Sequence, residues 1–262
     1  MLTRLPLHAK PAEYAAQADA VLAGVLARDP EVMALISSSH PHFFSDKIPW
    51  LAKDAPPPFA CDLAAAQLGI ARWYGFQTWQ KLLEWAAAAS DPTSPVALFE
   101  TAAEAVIDGD ADGLRQLLQC QPALVHARSI RVEPHDPPVH ACTLLHYLGA
   151  NGFEGYRQRT PQNAVGIMKM LLDAGAEPDA LAYLYGGECT TLSMLISSAH
   201  PAEAGLQIPL VELLLDYGAS PDGAGTGNWV SPVMTALGWA NYFGKTEVAD
   251  YLRSPDKLPP NA

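Results

Sequence analysis

The chain has 262 residues, 49% of them hydrophobic, and its 16 basic and 28 acidic side chains give a formal net charge of −12. The apolar content is enough for one or two domains with buried cores, which excludes a disordered or fibrous chain. The acidic balance, with no run of Lys or Arg, argues against nucleic acid and anionic membranes as partners, because both bind clustered cations.

The apolar stretches of the sequence are too short to cross a membrane. Stretches such as Ala20 to Ala27 do not reach the ~20 residues that a spanning helix needs. The N-terminal residues also lack the apolar core of a secretion signal. The four cysteines form no Cys-x-x-Cys pair, which fits a reducing compartment and gives no zinc pattern. We therefore expect a cytoplasmic protein with no metal and no other cofactor.

The first predicted region is a helical N-terminal domain over residues 1–90. Apolar residues at three- and four-residue steps predict a helix that starts at Pro11, a first-turn residue, and ends at Asp29-Pro30. A second short helix is predicted from about Glu31 to Ile36. A proline-dense loop follows, up to Pro56-Pro57-Pro58.

A helical hairpin comes next in this domain. Asp62 is suited to cap its first helix, Gly75 to end that helix in a left-handed conformation, and Thr78 to cap the second helix. The aromatic residues between Trp73 and Trp79 have the composition of a ligand box, but we interpret them as packing between the two helices. The polar, proline-bounded residues 91–97 are the predicted linker.

After the linker, the sequence repeats a short pattern. Two amphipathic segments end in the same way, in Leu171-Leu172-Asp173-Ala174-Gly175-Ala176 and in Leu214-Leu215-Asp216-Tyr217-Gly218-Ala219. Thr143-Leu144-Leu145-His146 and Thr190-Thr191-Leu192-Ser193 stand ahead of these segments as helix starts. A weaker first unit covers Ala105 to Val125, and a fourth starts at Ser231-Pro232-Val233-Met234. Units of this kind bury their apolar faces against one another.

These units resemble ankyrin repeats, whose signature is Thr-Pro-Leu-His, a glycine turn, and a second helix that ends in Leu-Leu before Gly-Ala. The stretch from Asp62 to Trp79 resembles the short helical domain that precedes the repeats in many bacterial ankyrin proteins. The resemblance implies an all-α fold, with an ankyrin-repeat solenoid of about four units over residues 98–256. It also implies a protein that binds another protein without catalysis.

Two units depart from the repeat pattern at the turn between their helices, where residues 153–163 and 200–209 are inserted. Stacking would bring the two insertions side by side, and loops placed together by a rigid scaffold often carry function. Their polar residues predict an alternative function as a small-molecule or anion sensor, or as an enzyme, with Arg157 holding the ligand. The other interpretation is that these residues pair with one another. The candidate ligand-binding residues are Glu154, Tyr156, Arg157, Gln158, Asn163 and His200.

Other motifs give no catalytic or metal site. The irregular spacing of His126, His135, His140 and His146 predicts structural or solvated roles, and His146 occupies the position where the repeat histidine bonds threonine and backbone. No nucleophile elbow, P-loop or dinucleotide fingerprint is present, so we expect no enzyme activity. The partner itself is not identified by the sequence. The candidate partner-binding residues are Tyr183, Tyr185, Asn228 and Trp229.

Overall fold

The computed structural model describes residues 3–40, 61–132, 139–149, 154, 157, 159–184, 187–222 and 235–254. Within these residues the chain is mostly helical and has one short β-hairpin. The chain forms two compact units. The first comprises residues 1–97 and 131–138, and the second comprises residues 98–130 and 139–262. No described helix is both long enough and apolar enough to cross a membrane.

The described residues of the first unit form four helices and the start of a fifth. They are α1 (Pro11–Leu26), α2 (Pro30–Ser39), α3 (Leu63–Trp73), α4 (Trp79–Ala89) and α5 (Pro95–Asp108). The predicted caps and glycine stop of the hairpin formed by α3 and α4 are confirmed. The Asp62 carboxylate accepts a hydrogen bond from the Ala65 N–H, the Thr78 hydroxyl oxygen accepts one from the Lys81 N–H, and Gly75 has φ +80°. Each cap satisfies a backbone donor that the first turn of a helix leaves without a partner.

Aromatic side chains form the core of the first unit. The rings of Tyr14 and Tyr74 meet edge to face at 5.0 Å, and those of Phe76 and Trp85 lie 5.2 Å apart. All four side chains are buried. The predicted packing role of the aromatic residues near the hairpin is therefore confirmed for Tyr74 and Phe76.

The second unit contains the rest of α5 and the remaining elements. They are α6 (Ala111–Cys120), a 3-10 turn (Pro122–His126), α7 (Leu144–Tyr147), α8 (Ala164–Asp173), β1 (Ala182–Leu184), β2 (Gly187–Cys189), α9 (Thr191–Ser197), α10 (His200–Glu203), α11 (Gln207–Asp216), α12 (Ala236–Tyr242) and α13 (Thr246–Leu252). The two strands pair antiparallel, with Tyr183 opposite Glu188.

The helices of the second unit pack in two rows. In one row α7 contacts α9, and α9 contacts α12. In the other row α6 contacts α8, α8 contacts α11, and α11 contacts α13. The pairs α7 and α8, α9 and α11, and α12 and α13 also contact each other. Each helix pair thus lies against the next, and one continuous apolar core runs through the unit.

Two second-row helices end with the same geometry. Gly175 has φ +96° and Gly218 has φ +89°, a region open to glycine because it lacks a Cβ atom. In both cases the next residue donates a backbone hydrogen bond back across the turn. The Ala176 N–H donates to the Leu171 carbonyl and the Ala219 N–H to the Leu214 carbonyl, each at 3.0 Å. The predicted glycine stops are confirmed.

Several boundaries differ from the sequence prediction. Helix α1 ends at Leu26, before the predicted Asp29-Pro30, and α2 continues to Ser39, beyond the predicted Ile36. Helix α12 begins after Thr235, whose hydroxyl oxygen accepts from the Gly238 N–H, and not at Ser231, which lies outside the described residues. The segment 200–209 is not an irregular loop, because it holds α10 and the first turn of α11. Helix α5 starts at Pro95, within the predicted linker, because the Ser94 hydroxyl accepts from the Ala97 N–H and caps the helix.

Candidate functional site

The insertion after α7 is joined to α5 by a buried cluster of ionic groups. The Arg157 guanidinium Nη1 lies 2.7 Å from Glu154 Oε2 and 2.9 Å from Glu100 Oε2. Its Nη2 lies 3.1 Å from Glu104 Oε1, one helical turn beyond Glu100. Arg157 thus bridges a carboxylate of its own segment and two carboxylates of α5.

Two further side chains hold Glu154 in place. The Tyr147 hydroxyl donates to Glu154 Oε1 at 2.8 Å, and His140 Nε2 lies 3.0 Å from the same oxygen. His140 Nδ1 accepts from the Cys142 N–H at 3.1 Å, so the hydrogen on this ring is at Nε2 and is donated to Glu154. We name Glu100, His140, Tyr147, Glu154 and Arg157 the ionic cluster.

The ionic cluster is almost closed to solvent. Glu154 is 2% exposed, Arg157 3%, Glu100 1% and His140 0%. Burial raises the pKa of Tyr147 well above its ordinary value, and the nearby negative charge of Glu154 acts in the same direction. The tyrosine therefore keeps its proton and acts as a hydrogen-bond donor. Buried charges of this kind are tolerated when they are paired and hydrogen-bonded.

This geometry bears on the predicted ligand pocket. Glu154 and Arg157 are brought together, but they pair with each other and with α5 inside the protein. This matches the interpretation in which the insertion residues bond one another. Tyr156 and Gln158, the neighbours that were to complete the pocket, lie outside the described residues.

The remaining pocket candidates lie at the surface. The exposed Asn163 side chain donates from Nδ2 to the Gly109 carbonyl at 2.8 Å. His200 is exposed at the start of α10, and its side chain takes part in none of the hydrogen bonds or ion pairs between described residues. Arg159 pairs with exposed Asp108 at 2.6 Å. These residues serve the surface of the second unit and not a shared cavity.

His146 has the structural environment expected from its sequence position. Its Nδ1 accepts from the Thr143 N–H at 3.1 Å and lies 2.9 Å from the Thr143 hydroxyl. The ring is fully buried, and this desolvation lowers its pKa to about 4, although nearby backbone carbonyls of Ala180 and Cys189 act in the opposite direction. The imidazole is therefore neutral at pH 7. It holds the start of α7.

Of the four candidate partner-binding residues, the structure describes one. Tyr183 is partly exposed on β1, and its N–H donates to the His140 carbonyl at 2.8 Å. Tyr185, Asn228 and Trp229 lie outside the described residues. The partner surface predicted from these four residues therefore stays a prediction.

An exposed group of aromatic residues on α12 was missed by the sequence analysis. Trp239 and Phe243 stack at 5.6 Å, and the Tyr242 ring meets both edge to face at 6.1 and 5.0 Å. Tyr242 is 54% exposed and Phe243 42%. We name these three residues the aromatic surface. Their spacing of three and four residues along a helix was the available sequence signal.

Glu100 was missed for a different reason. It lies on α5 between the buried residues Phe99 and Ala102, where an ionisable side chain is unusual. That position was a signal for a buried partner, but the partner, Arg157, is 57 residues away in sequence.

In the described part of the chain, no group of three or more His, Cys, Asp or Glu side chains is arranged to hold a metal ion. Comparison with protein-family models and with curated proteins found no match to this chain.

Proposed function

We propose that the chain is a non-catalytic protein-interaction module whose second unit is an ankyrin-type repeat stack. The aromatic surface carries this proposal. Trp and Tyr side chains that are partly exposed dominate many protein interfaces, because they bury a large area at a low entropy cost. The partner expected here is a protein that presents apolar side chains to Tyr242 and Phe243.

The ankyrin-type assignment is supported by repeated local geometry. The matched glycine stops at Gly175 and Gly218, the threonine caps at Thr190 and Thr235, and the two rows of helices recur along the second unit. Stacked units of this kind present extended surfaces on a rigid scaffold. The function then depends on the surface side chains and not on the scaffold.

The ionic cluster supports a non-catalytic function. A ligand-binding arginine must reach solvent, but the Arg157 side chain is 2% exposed and is held by three carboxylates. A general acid or base must likewise reach its substrate. We therefore favour protein binding over anion sensing.

The test is an affinity capture with the full chain, followed by binding measurements on the purified partner. We expect wild-type protein to enrich one protein reproducibly, and the Tyr242→Ser/Phe243→Ser variant to bind that protein at least about tenfold more weakly in a calorimetric titration. Tenfold is about 1.4 kcal/mol, a modest loss for two interface aromatics.

A matched control separates this effect from loss of any exposed apolar area. Ile130 is 48% exposed and Leu181 40%, and both belong to the second unit. The Ile130→Ser/Leu181→Ser variant should bind the partner as wild type does. Equal weakening by both double variants, or no reproducible enrichment by the wild-type protein, would contradict the proposal.

A further inference from the structure

Helices α5 and α6, joined by a turn at Gly109, enclose an open groove of about 480 Å³ on the second unit. Its lining mixes apolar surface with carboxylates, and none of the lining residues is basic. The lining residues are Thr101, Glu104, Ala105, Asp108, Asp110, Gly113, Gln116, Leu117 and Cys120.

Three carboxylates stand along this groove. The Glu104 side chain is 40% exposed and the Asp108 side chain 51%, so both reach solvent while they pair with Arg157 and Arg159. Asp110 is exposed and caps α6 by accepting from the Gly113 N–H at 2.9 Å. The apolar part of the lining comes from Ala105 and from the partly buried Leu117.

The lining of the groove is acidic. It holds three carboxylates and no basic residue, and the two that pair with arginines, Glu104 and Asp108, still reach solvent. A binding surface of this sign attracts cationic partners and rejects anionic ones.

We propose that this groove binds a basic amphipathic segment of a partner protein. An apolar side chain of the segment covers the partly exposed Leu117, beside the buried Ala105, and Lys or Arg side chains on either side of it meet Glu104 and Asp108. The inference deepens the proposed function, because it takes the partner to be a protein. The groove and the aromatic surface are different surfaces, however, so this inference and the proposed function can fail separately.

The apolar and acidic parts of the lining together favour a basic amphipathic segment over a small free cation as the ligand. In an amphipathic segment, an apolar side chain can cover the exposed part of Leu117 while the ammonium groups of neighbouring lysines stay among the carboxylates. A free cation would leave that part of Leu117 in water. The partner segment should therefore need both apolar and basic residues.

Peptide titration tests the inference directly. The probe is a short fluorescein-labelled peptide of Leu and Lys at helical spacing, followed by fluorescence anisotropy against the full chain. Gln116 and Gln119 are both exposed residues of α6, but only Gln116 lines the groove. We expect Gln116→Lys to weaken peptide binding at least about tenfold, since like charges placed together at an interface are costly. Gln119→Lys should bind within about twofold of wild type.

Cysteine alkylation gives an independent readout on the same complex. Cys120 is exposed in the groove lining, and the partly exposed Cys61 belongs to the first unit. Bound peptide should slow alkylation of Cys120, measured by mass spectrometry, and leave the alkylation rate of Cys61 unchanged. Equal slowing at both cysteines would contradict occupancy of the groove.

The remaining outcomes separate this inference from the proposed function. The Tyr242→Ser/Phe243→Ser variant should keep the wild-type affinity for the peptide. Equal binding by the Gln116→Lys and Gln119→Lys variants would overturn the inference, as would equal affinity for a peptide of lysines alone. Neither result would affect the capture experiment, which depends on the aromatic surface.

Discussion

Two arginines of the same insertion differ in their burial. The Arg157 side chain is 2% exposed and faces Glu100, Glu104 and Glu154. The Arg159 side chain is 60% exposed and pairs with Asp108, which is itself half exposed.

The difference concerns what is left behind when the cation is removed. An exposed carboxylate such as Asp108 is solvated by water, so it tolerates the loss of its cation at little cost. Buried carboxylates without a cation are left uncompensated inside the protein. The two arginines of one segment should therefore contribute unequally to stability.

Replacement of Arg157 should have the largest effect. Arg157→Met leaves Glu100 and Glu154 buried without their cation, and we expect it to lower the free energy of unfolding by about 3–5 kcal/mol. Urea unfolding followed by circular dichroism measures this change, and hydrogen exchange of the α8 amides assigns it to the second unit. A loss no larger than that of Arg159→Gln would contradict the comparison.

A lower pH should have the next largest effect on the free energy of unfolding, through a buried histidine that stays neutral in the folded protein. The pKa of His146 falls from 6.5 to about 4 on burial, so the unfolded chain takes up this proton first as the pH falls. The contribution is fully present above pH 6.5 and is lost as the pH falls towards 4, by up to about 3 kcal/mol. His146→Asn should flatten the stability profile between these pH values. Parallel profiles for the two proteins would contradict the structural role.

Arg159→Gln should have the smallest effect. Its partner Asp108 is half exposed, and pairs of this kind contribute roughly 0–1 kcal/mol because water screens them. Arg157 and Arg159 lie in the same insertion, so the two variants compare a buried and an exposed cation within one segment. The same urea titration should give a midpoint close to that of the wild-type protein.

The sequence predicted features that depend on neighbouring residues. A helix cap such as Asp62 or a left-handed stop such as Gly75 is decided within a few residues, and the structure has both where the pattern placed them. The glycine stops after α8 and α11 were recognisable for the same reason. Local hydrogen bonding and backbone sterics are sufficient to specify such positions.

Features that depend on distant residues were not predictable in this way. The bonds from Arg157 to Glu100 and from Arg131 to Tyr74 each join residues 57 positions apart, and no local pattern links them. Helix α12 begins after Thr235, whereas Ser231, the start that the repeat pattern predicted, lies outside the described residues. Of the ionic cluster, the sequence analysis named Glu154 and Arg157 as site residues, but it missed Glu100 and did not predict that these side chains are buried.

In this structure the Arg157 side chain is held by carboxylates inside the fold and not by a ligand. The most direct measurement compares Arg157→Met with Arg157→Met/Glu100→Gln/Glu154→Gln in urea unfolding. We predict that the triple variant recovers most of the lost free energy, because no uncompensated charge remains. A triple variant no more stable than the single variant would contradict the account.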